Sequence, residues 1–81
     1  MGSFVKVKRI SEVEVPNLGE NIKKLRKASR HTVEQLATIA GISRAHWYEV
    51  EKENFKDGLP YETLKAIEKA LDADFGVKFN D

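Results

Sequence analysis

The chain predicts a mainly α-helical bundle of four to five short helices with short β-strands at its termini. Three observations predict it. Apolar residues recur at helical spacing in four segments between residues 17 and 72. Helix start and stop residues punctuate those segments, with Thr32, Gly41, Ser43 and Pro60 the clearest. Outside them, residues 4–15 and 75–79 alternate apolar and polar, which is the period of a strand. With 81 residues, one tryptophan and 41% apolar content, the chain makes one small domain, too short for a cleft-bearing two-domain enzyme. A core of this size is marginal alone, so self-association is expected to stabilise it.

Residues 1–16 form an N-terminal arm, extended as a strand rich in valine and stopped by Pro16. Phe4 falls out of step with Val5 and Val7. Asn17 is the expected cap of a first helix, with Glu20 three residues on and Leu18, Ile22 and Leu25 as its apolar stripe. That helix should end near Ser29 or Arg30. Thr32 and Gln35 have the spacing of a capping box, in which hydroxyl and amide each satisfy a backbone donor. Leu36, Ala37 and Ala40 then make one apolar face, and Gly41 allows the left-handed backbone that ends a helix. Ile42 returns to the core and Ser43 caps the next helix. There Trp47 and Val50 face inward, while Arg44, Ala45, Tyr48 and Glu49 face outward. Ala37 is small because helices joined by so short a turn cross closely.

The helix runs out through Glu51, Lys52 and Glu53 into a turn cluster at residues 54–58. Pro60 suits the first turn of a last helix through Leu64, Ile67 and Leu71, ending near Asp72. Residues 74–81 form a C-terminal strand in which Phe75, Val77 and Phe79 alternate. Terminal strands need partners. Pairing within one chain and pairing across a two-fold axis are both open.

There is no cysteine, hence no disulfide frame or thiolate metal site, and no apolar run spans a bilayer. The start carries neither a signal peptide nor a myristoylation signal, so a soluble, cytoplasmic protein without membrane contact is expected. His31 and His46 lack the companions of a metal site, and no cofactor is expected. No nucleophile stands beside a base, and the acids of residues 49–53 look like a solvated run, so an enzyme is not expected. The net charge of +1 hides an uneven distribution. Residues 1–30 carry eight Lys/Arg against three Glu, a balance of +5. Residues 31–60 and 61–81 each carry three against five, a balance of −2. Lys23, Lys24, Arg26, Lys27 and Arg30 cluster without an acid among them. Such a run serves either as a solvated helix face or as a phosphate-holding patch.

Ala37, Gly41, Ile42, Trp47 and Val50, at these spacings and flanked by the stretches 18–26 and 61–71, resemble the helix-turn-helix of the Cro and phage-repressor (xenobiotic-response-element-like) DNA-binding domains. The resemblance spans residues 17–73 and implies a lambda-repressor-like helix-turn-helix bundle. It also implies double-stranded DNA as partner and a homodimer on a palindromic operator, acting as a repressor. Ser43, Arg44, Ala45, Tyr48 and Glu49 would meet bases. Arg26, Arg30, Thr32, Val33, His46, Lys52, Asn54 and Lys56 would meet phosphates. In the family the arginine matching Arg26 also pairs with a glutamate at the place of Glu51. One departure is Val33, where relatives usually carry a phosphate-bonding glutamine; Gln35, two residues on, cannot simply replace it. The C-terminal strand resembles that of antitoxin-type members, whose dimers close with such strands; Phe75, Val77 and Phe79 would then be dimerisation residues. The alternative is a protein-interaction module, such as the antitoxin of a toxin–antitoxin pair, with DNA binding secondary or lost.

Overall fold

The computed structural model describes residues 4–8, 12–54 and 58–77. In chain order its elements are β1 (Phe4–Lys8), β2 (Glu12–Pro16), α1 (Leu18–Ala28), α2 (Val33–Ala40), α3 (Arg44–Glu51), β3 (Leu59–Pro60) and α4 (Tyr61–Leu71). Four helices with short strands give the mainly α fold that the periodicities predict.

The N-terminal arm differs from the single strand expected of it. It is a hairpin, with β1 antiparallel to β2 from Phe4 opposite Pro16 to Lys8 opposite Glu12. The pleat turns Val5 and Val7 into the core and Phe4 and Lys6 outward. Phe4 is out of step because it belongs to the solvent face, where it is 64% exposed. Lys6 stands opposite Glu14, a favourable cross-strand pairing of charges. The other edge of β1 pairs in parallel with β3, Val7 opposite Leu59, so the sheet order is β2-β1-β3. Two residues of strand carry no periodicity of their own, and Pro60 stands as the last residue of β3 and the cap of α4 rather than inside the helix.

Over residues 74–77, the described part of the C-terminal strand expected at residues 74–81, no strand forms. The carboxylate of Glu68, itself buried, accepts a hydrogen bond from the Phe75 amide at 2.8 Å, and Phe75 and Val77 lie half-buried against the core of their own chain. Phe79 lies outside the described residues, as does Lys56.

α1 begins without its expected cap. Asn17 is left-handed (φ 56°) and its side chain makes no capping bond. The Gly19 amide instead donates to the Glu53 carboxylate at 3.0 Å. Glu53 reaches it from a left-handed backbone (φ 58°) just past the end of α3. Gly19 is required there, because a Cβ would lie 2.4 Å from the Glu51 carbonyl oxygen. Leu18 and Ile22 are buried as predicted, but Leu25 is left 37% exposed at the rim of the packed face.

The central pair of helices follows its local signals. Thr32 and Gln35 close the capping box, at 3.1 Å to the hydroxyl and 2.9 Å to the side-chain amide oxygen. Gly41 takes φ 73° and the Ile42 amide donates to the Ala37 carbonyl at 3.0 Å, which sets the sharp turn. The Ser43 hydroxyl accepts from the His46 amide at 3.0 Å and starts α3. Trp47 and Val50 then meet Leu36, Ala37, Ile22, Leu64 and Ile67 in one core that also takes Val5, Val7 and Leu59 from the sheet. Each fully buried side chain of this size contributes about 1.5–3 kcal/mol relative to exposure.

Candidate nucleic-acid interface

α3 has two unlike faces. On the inner one Trp47 is fully buried, and its indole N–H donates to Glu51 Oε2 at 2.7 Å. The same carboxylate receives the Arg26 guanidinium as a fork, Nε to Oε2 at 2.5 Å and Nη2 to Oε1 at 3.0 Å. Their side chains are 19% and 5% exposed, so both charges are largely removed from water. Desolvation of such a pair costs several kcal/mol, which only good geometry and further hydrogen bonds offset; the fork and the indole supply both. The hydrogen bond to Glu51 raises the Arg26 pKa above its ordinary value; burial opposes this and the charge of Glu51 reinforces it. A raised pKa means the contribution is complete below the unfolded-state value and fades only as pH climbs through the higher folded one. Arg26 therefore stays charged throughout the neutral range. The bridge from α1 to α3 is what the family resemblance implied for these residues.

On the outer face Ser43, Arg44, Ala45, His46, Tyr48 and Glu49 are all exposed, followed by exposed Lys52 and Asn54. Arg44 stands at the start of α3, with Nη1 3.7 Å from Glu34 Oε1 of α2 and side chains 61% and 75% exposed. An exposed ion pair of that length is worth little. The guanidinium remains open to a stronger partner. Tyr48 lies beneath Arg26, whose guanidinium carbon is 5.5 Å from the ring centroid.

At the start of α2, Thr32 and Arg30 are exposed. The capping box already engages the Thr32 hydroxyl and amide. It is the next amides of the first turn, beginning with Val33, that lack an intrahelical acceptor and give the helix start its affinity for anions. The Val33 side chain itself packs against the core. Two donors of Arg26 are held by Glu51, so a phosphate could meet only what remains of the guanidinium.

The residues expected from the sequence to face DNA thus share the α3 surface and the adjoining starts and ends of helices, apart from Lys56 outside the described residues. The sequence reading missed four contacts: Glu53 at the start of α1, Glu34 beside Arg44, Arg26 over Tyr48, and the Trp47 indole on Glu51. The Trp47–Glu51 bond has the i,i+4 helical spacing and was open to discovery. The bond between Glu53 and Gly19 joins residues 34 apart and carried no local signal. Among the described residues no group of three or more His, Asp or Glu side chains could hold a metal ion, and no helix is long and apolar enough to cross a membrane.

A capped short helix, a glycine turn, and a second helix anchored inside and polar outside define a helix-turn-helix DNA-binding domain. The family model of the Cro/C1-type HTH DNA-binding domain matches residues 21–76, and the chain belongs to that family. No curated protein and no solved structure gives a significant match.

Proposed function

We propose that the protein is a transcriptional repressor that binds a palindromic operator as a homodimer and inserts α3 into the major groove. The observation that carries this reading is the division of α3 into a face tied to the core through Trp47, Val50 and Glu51 and an exposed face bearing Arg44, Ala45, Tyr48 and Glu49. A rigid helix with polar outward side chains fits the groove and can meet base edges. Arg44 forks onto the O6 and N7 of a guanine, giving up its long contact to Glu34. Ala45 meets a thymine methyl, Glu49 accepts from a cytosine amino group, and Ser43 and Tyr48 complete the base-facing set. Arg30, Thr32, the Val33 amide, His46, Lys52, Asn54 and Lys56 hold phosphates, with Arg26 contributing through its remaining donors. Two copies related by a two-fold axis place their α3 helices about 34 Å apart, one turn of DNA. Repression is then steric, in the cytoplasm, and Phe75, Val77 and Phe79 support the dimer.

Fluorescence anisotropy tests this, with DNA from immediately upstream of the protein's own gene against a scrambled duplex at two salt concentrations. The repressor reading requires preference for the upstream DNA and a steep loss of affinity with salt, a log–log slope of about −0.9 per phosphate neutralised. Equal weak binding to both duplexes would turn attention to the second reading.

That second reading is a protein-interaction module of the antitoxin kind. The exposed acids Glu34, beside Arg44, and Glu49, on the same outer face of α3, together with the net charge of +1, favour it, because acids on a DNA-facing surface repel phosphate. A complex of that kind should keep its affinity across the salt range that abolishes phosphate-driven binding.

A further inference from the structure

Arg26 joins two parts of α3 that differ in exposure. Through Glu51 it is tied to the buried Trp47, and across its other side it covers the ring of Tyr48 at 5.5 Å, within the range of a cation–π contact. Trp47, Glu51 and Tyr48 belong to α3, whereas Arg26 comes from α1. A helical tyrosine ordinarily divides its time between two χ1 wells. A fixed guanidinium against one ring face favours the well in which the two stack.

We propose that Arg26 is a specificity-determining positioning residue that holds Tyr48 in one orientation, so that α1 and α3 together set the base preference at the pair Tyr48 meets. This rests on α3 being the recognition helix. Arginine is needed for it, since a planar fork can grip both carboxylate oxygens while its face lies on a ring, and an ammonium cannot.

The test uses the full chain and a randomised duplex library, with every variant first shown to be folded by circular dichroism. The wild-type chain should select a consensus, and Tyr48→Leu should relax one base pair in each half-site by about fivefold or more. Arg26→Lys should relax that same base pair, and the double variant should relax it no further. Glu51→Gln, which loosens the fork but leaves one acceptor for the indole, is an independent route to the same result. A uniform loss of affinity at every position, relaxation at a different pair, or failure of both Arg26→Lys and Glu51→Gln to fold would overturn the positioning role while leaving DNA recognition standing. A wild-type chain that selects no consensus would overturn the repressor reading itself, and this inference with it.

Discussion

At the scale of single residues, two contacts at the junction of α1 and α3 carry more than their size suggests. Gly19 sits where a Cβ would collide with the Glu51 carbonyl, and backbone there cannot yield as a flexible side chain would. Gly19→Ala is expected to cost about 1–3 kcal/mol, the usual range for overpacking, read as a lowered midpoint in chemical denaturation. Glu53 both pays a left-handed backbone cost and caps α1. Glu53→Ala keeps the strain and loses the cap, a destabilisation of about 0.5–2 kcal/mol. Glu53→Gly loses the cap but relieves roughly 1 kcal/mol of strain, so it should be the milder change. Equal destabilisation by both substitutions would mean the left-handed backbone is not costing the protein anything.

Among the elements, α3 has an inner face tied to the core and an outer face that the proposed reading gives to recognition, so its two faces should respond differently to mutation. Glu51→Ala leaves the Arg26 charge and the Trp47 indole without their shared acceptor, an expected loss of about 3–5 kcal/mol. Arg44→Ala removes only an exposed pair and should change stability by no more than about 0.5 kcal/mol. In DNA binding the order should reverse for specificity, with Arg44→Ala relaxing the preference at one base pair per half-site. Thermal unfolding and binding selectivity measured on the same two variants would show whether the faces are separable. An Arg44→Ala chain with unaltered affinity and base preference would place the recognition surface elsewhere.

For the whole molecule, the C-terminal segment packs on the core of its own chain, and the proposed reading also gives it a part in the dimer. Phe75 and Val77 rest on the core, and the Phe75 amide is held by Glu68, so deletion of residues 74–81 should lower the unfolding midpoint of the monomer itself. If the segment also supports the dimer, the deletion should raise the dimer dissociation constant and reduce operator affinity through lost bivalency. Sedimentation equilibrium separates the two effects. An unchanged dimer constant beside a lowered midpoint would confine the segment to its own chain.

The sequence by itself determined the four helices, the capping box at Thr32 and Gln35, the Gly41 turn, the buried Trp47 and the family to which the chain belongs. Those signals act over three or four residues, where helical period and cap chemistry leave little choice. Only the tertiary structure decided that the arm folds into a hairpin, that β1 takes its second neighbour from Leu59–Pro60, and that Glu53 replaces Asn17 as the cap of α1. It likewise turned Phe75 and Val77 inward, although their alternation is equally that of a strand. Contacts such as Gly19 with Glu53 or Arg26 with Tyr48 form because the helices cross at one distance, and no pattern along a single element records that distance.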